Sequence, residues 1–266
     1  MPSRAPIGVF DSGVGGLSIL IELRRLLPGE DLLYLADSAH CPYGVKPVEE
    51  IRRRTLEIAG YLIDLGAKAI VVACNSACVA GLDPIRSRYP DYPVVGVEPA
   101  VKPAQQVTRN GKIGVLATSM TLNGSRFNGL VEKFASGIEV YTKPGPGLVE
   151  MVEAGDLDTP ATEKLLHEYL DPLLAEGIDT LVLGCTHYPF LRPVIERIGG
   201  PGLTVLDTGI AVARQTVRVL ERHDLCNAEQ RRGRVTFYTS GDPERVAPVV
   251  RHLWPEKDVA VLPATV

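Results

Sequence analysis

Two segments of this chain read as copies of one another, and that duplication constrains the fold more than any other feature. Ala69-Ile70-Val71-Val72-Ala73-Cys74-Asn75-Ser76 and Thr180-Leu181-Val182-Leu183-Gly184-Cys185-Thr186-His187 each run from an apolar stretch through a small residue to a cysteine and a hydrogen-bonding tip. Ile7-Gly8-Val9-Phe10 is echoed in the same way by Ile113-Gly114-Val115-Leu116. In both halves the sequence after the cysteine passes through a helix-like stretch to a further apolar run, ending at Gly96-Val97-Glu98 and at Leu206-Asp207-Thr208. Short continuous apolar runs separated by amphipathic stretches are the mark of parallel strands covered on both faces.

The expected class is therefore α/β: two similar parallel-sheet α/β domains related by a pseudo-twofold axis, with the active site in the cleft between them. Strands are expected at 7–10, 32–35, 69–73, 94–97, 113–117, 180–183, 204–206 and 235–238. Helical spacing marks 16–27, 48–65, 125–134, 162–174 and 210–221, with starts at Thr159-Pro160 and Thr208-Gly209 and stops at Gly66 and Gly177. The segment after Asp207 reads as a return to the first half. Residues 1–98 plus 209–266 are thus expected to form a discontinuous first domain and 99–208 the second.

A formal charge of −4 and a pI near 5.8 argue against a nucleic-acid-binding surface, which is normally basic. No apolar run approaches the roughly 18 residues that cross a bilayer, and Met1-Pro2-Ser3-Arg4-Ala5-Pro6 passes straight into a strand-like run without a signal-peptide pattern. The expected location is the cytoplasm. Five cysteines in 266 residues do not suggest a disulfide framework. For Cys41, Cys78 and Cys226 the default reading is an inert, buried small hydrophobe. Cys74 and Cys185 depart from it by their strand-end placement and their symmetry.

Ligands of open α/β sheets bind beyond the carboxyl ends of the strands. Two thiols delivered there, one from each half, can face each other across a cleft, which suits removal of a proton from one face of a carbon and its return to the other: racemisation. A helix N-terminus after a cysteine lowers its pKa from the usual value near 8.5, and the neighbouring His187 can hold a proton. Asn75, Ser76 and Thr186 offer groups to grip a carboxylate. Asp11-Ser12-Gly13-Val14-Gly15-Gly16 leaves the first strand and opens a helix. It reads as an anion-binding turn, a purely structural turn, or, by preference, an acidic group placed beside the first cysteine. Ser18 stands where a dinucleotide fingerprint would need its third glycine. Cys41-Pro42-Tyr43-Gly44 follows the second strand and is a candidate pocket wall, with Tyr43 presenting a phenol. Thr118-Ser119-Met120-Thr121 follows the strand equivalent to that of Asp11, so Thr118 and Thr121 should face the same cleft. From spacing alone Glu153 is a solvated carboxylate. Cys74, Cys78, Cys185 and His187 could be written as zinc ligands, but Cys-x-x-x-Cys entering a helix and a tight Cys-x-His argue against it. A single-cysteine nucleophile would leave the second copy unexplained. Neither metal nor organic cofactor is expected.

Taken in order, Gly8-Val9-Phe10-Asp11-Ser12-Gly13-Val14-Gly15-Gly16, Pro42-Tyr43-Gly44, Ala73-Cys74-Asn75-Ser76-Ala77 and Leu183-Gly184-Cys185-Thr186-His187-Tyr188-Pro189 resemble the motifs of the glutamate racemases, in the cofactor-independent amino-acid racemases. The resemblance covers nearly the whole chain. It implies interconversion of L- and D-glutamate, supplying D-glutamate for bacterial peptidoglycan, with Cys74 and Cys185 as the two acid/base residues. It also implies that Asp11 and His187 assist the thiols, with Glu153 a further candidate beside His187. Asp11, Ser12, Tyr43, Gly44, Asn75, Ser76, Thr186 and His187 become the implied substrate contacts. Ser76 stands where the family more often has threonine, and Cys41 and Met120 occupy variable positions. Which cysteine serves which enantiomer cannot be read from spacing; the resemblance lets Cys74 deprotonate in one direction and Cys185 in the other. The expected partner is a small molecule, glutamate, with neither nucleic acid nor membrane; a homodimer and control by cell-wall precursors are left open. The rivals are an aspartate racemase of the same superfamily and a non-catalytic amino-acid-binding module.

Overall fold

The computed structural model describes residues 4–227, 231–256 and 259–266. Met1 to Ser3, the start of the stretch read for a leader, lie outside the described residues. In chain order the elements are β1 (Ile7–Asp11), α1 (Leu17–Leu26), β2 (Leu32–Ala36), α2 (Val48–Asp64), β3 (Ala69–Val72), α3 (Asn75–Arg88) and β4 (Val94–Gly96). There follow α4 (Val101–Val107), β5 (Lys112–Ala117), α5 (Ser119–Asn123), α6 (Ser125–Phe134), β6 (Glu139–Pro144), α7 (Leu148–Ala154), α8 (Pro160–Ala175), β7 (Thr180–Gly184), α9 (Arg192–Gly199) and β8 (Thr204–Leu206). The chain closes with α10 (Gly209–Arg222), β9 (Val235–Thr239), α11 (Pro243–Leu253) and β10 (Val261–Pro263).

The strands form two sheets in which every pair is parallel, with orders β10-β9-β2-β1-β3-β4 and β6-β5-β7-β8. The blocks β2-β1-β3-β4 and β6-β5-β7-β8 have the same order. Ile7 pairs with Ala69 in one and Ile113 with Thr180 in the other, so the duplicated segments keep the same register. Cys74 and Cys185 consequently leave equivalent central strands at equivalent points. β1, β3 and β7 are buried at every residue, as their apolar runs Ile7–Phe10, Ala69–Val72 and Leu181–Leu183 require. After β8, α10 packs against α1 and β4, and β9 and β10 extend the first sheet on the β2 side.

Two strands are additions to the sequence expectation. β6 is an edge strand whose residues are exposed or half-buried throughout, so Glu139-Val140-Tyr141-Thr142-Lys143-Pro144 carries no apolar run. β10 is three residues at the opposite edge and ends on a proline, which an edge tolerates. α3 likewise lacks an apolar stripe because it is buried nearly all round, from Asn75 and Ala77 to Leu82 and Ile85. Helix punctuation follows the sequence: Thr159 Oγ1 accepts from the Thr162 N–H at 3.2 Å at the start of α8, and Gly66 and Gly177 follow α2 and α8 with φ +86° and +79°. Thr208 precedes α10 without a side-chain cap. Among the described residues, no helix is long and apolar enough to cross a membrane.

A buried ionic cluster fixes the loop after β2. Asp37 is fully buried and accepts from Arg54 Nη2 at 2.7 Å and Nε at 3.1 Å, from Ser240 Oγ at 2.6 Å and from the Tyr43 hydroxyl at 2.5 Å. Burial pushes the Asp37 carboxyl up, but Arg54, Ser240 and Tyr43 outweigh it and hold it below the usual carboxylate range. Because its folded value is depressed, the stabilisation is fully present above the unfolded value near pH 4 and is lost as pH falls through the folded value. Arg54→Ala strands the Asp37 charge and is expected to cost about 3–5 kcal/mol in urea unfolding at pH 7. A cost below about 1 kcal/mol would show that the cluster does not hold this loop.

Candidate active site

The carboxyl ends of β1, β3, β5 and β7 converge on one enclosed cavity. From the first half it is lined by Ser12, Tyr43, Gly44, Cys74, Asn75 and Ser76, and from the second by Thr118, Cys185, Thr186 and His187, with Pro42 and Val149 completing the wall. Both cysteines are buried, and all five cysteines are free thiols. The remaining space, about 10 Å³, holds roughly one water. An amino acid is many times larger, so entry requires the halves to separate.

Cys74 caps α3. Its Sγ accepts from the Ala77 N–H at 3.5 Å and lies 3.8 Å from Ser12 Oγ. Contrary to the expected lowering by the helix N-terminus, burial, reinforced by the Asp11 carboxylate, pushes this thiol well above its usual range; the Ala77 and Ser12 amides only moderate it. Asp11 itself lies behind the cavity wall. Its Oδ1 accepts from Gly13 N–H (2.8 Å) and Ser12 Oγ (3.1 Å), and its Oδ2 from Thr186 Oγ1 (2.7 Å), tying the two halves together. Burial raises its pKa despite His187, Thr186 and the Gly13 amide.

Cys185 leads into a turn, not directly into an α-helix: a 3-10 turn at Tyr188–Leu191 precedes α9. Its Sγ lies 3.8 Å from His187 Nδ1. On the opposite side of the ring, Nε2 is 2.6 Å from Glu153 Oε1, which also accepts from the Val14 N–H at 2.6 Å. Burial would lower the His187 pKa, but Cys185, Cys41, Glu153 and the charge of Asp11 together lift it well above its ordinary value. That direction favours the protonated ring, which can donate from Nε2 to Glu153 and from Nδ1 toward Cys185. The Gly15 N–H, 3.2 Å from Nε2, is then a close neighbour, the shorter Glu153 contact deciding the proton's place.

Several sequence expectations change here. Glu153 is not a solvated carboxylate; four residues on from Val149 on the same face of α7, it reaches into the first half. The glycine-rich turn does receive an anion at its backbone, and that anion is Glu153. A Cβ on Gly13 would overlap Glu153 Oε1 and lie 3.0 Å from Cys41 Sγ, and one on Gly15 would overlap the His187 ring. Tyr43 lines the cavity, but its hydroxyl is committed to Asp37. Thr121 stands one step back, its Oγ1 3.0 Å from Thr118 Oγ1, which in turn meets Ser76 Oγ at 3.0 Å across the halves. Cys78 turns into the core between Val72 O and the Val97 N–H, away from the other thiols, so the four-ligand zinc arrangement does not assemble. Cys41 is not merely filler, since its sulfur lies beside Glu153 and His187. Asn75 Nδ2 is buried without a hydrogen-bond partner, a donor facing space that an acceptor can fill. Sequence reading missed Val149, Asp37 and Arg54; the i,i+4 spacing of Val149 and Glu153 was the available signal for the first.

The profile of the Asp/Glu/Hydantoin racemase family matches residues 7–216. The chain belongs to this family. A glutamate racemase of Pseudomonas entomophila (strain L48) is 54% identical over 254 residues, covering 96% of each chain. Among solved structures of similar proteins, Escherichia coli glutamate racemase, in complex with L-glutamate and the activator UDP-MurNAc-Ala, aligns over 98% of both chains with a TM-score of 0.85 and 33% identity. Glutamate racemase from Thermus thermophilus, in complex with beta-chloro-D-alanine, aligns over 100% of this chain and 99% of its own, with a TM-score of 0.83 and 39% identity. The two-sheet architecture is thus that of solved racemases of this family.

Because the turn admits no side chain against His187, Gly15→Ala is expected to destabilise the protein by about 1–3 kcal/mol through overpacking. Urea unfolding measures it; a change within about 0.5 kcal/mol would mean that His187 is not seated on this backbone.

Proposed function

We propose that the protein interconverts L- and D-glutamate by two-base proton transfer at the α-carbon, with Cys74 on one face and Cys185 on the other. The observation that carries this reading is the burial of both sulfurs in one closed cavity, each at the end of an equivalent strand. Burial and Asp11 hold the proton on Cys74, while His187 lies beside Cys185. This arrangement prepares Cys185 to take an α-proton and Cys74 to supply one; in the reverse direction the roles exchange. Glu153 and Asp11 act through His187 and Thr186 as positioning residues.

The α-proton is weakly acidic, so charge developing on the substrate carboxylate must meet fixed donors in a water-poor site. The unpartnered Asn75 Nδ2 and the Ser76–Thr118 hydroxyl pair supply them, with Ser12 and the Tyr43-Gly44 backbone along the wall. The domain division at 1–98 plus 209–266 and 99–208 follows the two sheets, and separation along it would admit substrate. D-Glutamate made in this way serves bacterial peptidoglycan in the cytoplasm. The relatives named glutamate racemase favour glutamate over aspartate.

Cys74→Ser and Cys185→Ser are each expected to reduce racemisation of glutamate by roughly 10²–10⁴-fold or more, with aspartate a far poorer substrate of the wild type. Near-normal turnover in either variant rules out the two-base scheme, and faster turnover of aspartate reassigns the substrate.

A further inference from the structure

Two spaces lie near His187, which lines the first of them. The first is the closed cavity that holds the two strand-end thiols. The second is an open cavity of about 530 Å³, lined by Cys41, Glu153, Val14 and residues of α7 and α11. The ligand atoms of Cys41 and Glu153, which line this second space, and of the buried His187 all lie within 4.8 Å of one another. They are a thiol, a carboxylate and an imidazole, delivered by the loop after β2, by α7 and by the turn after β7.

We propose that Cys41, Glu153 and His187 form a three-ligand site for a thiophilic divalent cation of the zinc type, open to solvent at its fourth position and inhibitory when occupied. The donor set is that of borderline-soft metals. In a tetrahedral zinc site, with bonds of about 2.0–2.3 Å, ligand atoms lie roughly 3.3–3.6 Å apart. Cys41 and Glu153 line the open cavity and reach that geometry by side-chain shifts, Glu153 moving back from its 2.6 Å contact with His187. The cavity provides both the entry path and the water for the fourth position.

The chemistry balances without a further reactant. Burial holds the Cys41 thiol protonated, with its pKa pushed up to about 12. On binding, the S–H bond gives way to a metal–sulfur bond and the Nε2–H bond to a metal–nitrogen bond, with both protons passing to solvent. Glu153 then bonds the cation and no longer accepts the His187 proton, and the ring is fixed with only Nδ1–H facing Cys185. His187, which lies 3.8 Å from Cys185, and its partner Glu153 are thereby held by the cation. The consequence for turnover rests on the proposed two-thiol reading; binding itself does not.

The test adds Co²⁺, as a spectroscopic probe, and Zn²⁺ to the metal-free full-length protein. The expected result is one equivalent of Co²⁺ with a thiolate charge-transfer band in wild type, Cys74→Ser and Cys185→Ser, and no such band in Cys41→Ser. Glu153→Gln should weaken binding at least about tenfold. Zinc should inhibit wild type at least tenfold, reversibly by chelation, and should not inhibit Cys41→Ser. In wild type alone, zinc should also protect Cys41 from maleimide alkylation, mapped by peptide mass, so a poorly folding variant does not decide the matter. A band that persists in Cys41→Ser or vanishes with Cys74 or Cys185, unprotected Cys41, or binding without inhibition would overturn the proposal.

Discussion

Everything in this structure that resembles an active site depends on one set of contacts, the clasp between the glycine-rich turn after β1 and the second half. Two successive backbone amides, of Val14 and Gly15, meet Glu153 and His187. Ser18 Oγ adds a bond to Thr186 O at 2.8 Å, and Thr186 Oγ1 one to Asp11 at 2.7 Å. Helix N-terminal turns attract anions; here the anion is a carboxylate belonging to the chain itself. The clasp therefore does two things at once. It closes the cavity over the cysteines, and it gives His187 a partner on the face turned away from Cys185.

This makes the two thiols unequal although the strands that carry them are equivalent. Cys74 has only amide donors and a hydroxyl near it, with Asp11 opposing its ionisation. Cys185 has the His187 ring, whose pKa its neighbours raise.

How much of this was legible in the sequence follows from what the residues had to do. The central strands were readable because both of their faces are buried, which forces an unbroken apolar run. The equivalence of Cys74 and Cys185 was readable for the same reason. β6 was not, because an edge strand has no such requirement, and its place could be inferred only from the partner role of β2. Spacing alone left Glu153 a solvated carboxylate, because a carboxylate four residues after a valine on a short helix carries no local sign of an amide waiting in the other half; only the family resemblance put it beside His187. The helix-dipole argument for Cys74 had the right sign but lost to burial, which spacing does not reveal. Cys41, treated as filler, lies near Glu153 and His187, where Gly13 has no side chain to keep it away.

The central claim is that a proton leaves one face of the α-carbon to one sulfur and arrives on the other face from the other. Proton NMR of a single turnover in deuterated water, run separately from L- and D-glutamate, tests this directly. The account requires each newly formed enantiomer to carry solvent deuterium at the α-carbon while unreacted substrate keeps its hydrogen. Product that retains the original hydrogen would mean that one base carries the proton across, and the pairing of Cys74 with Cys185 would then have no place in the reaction.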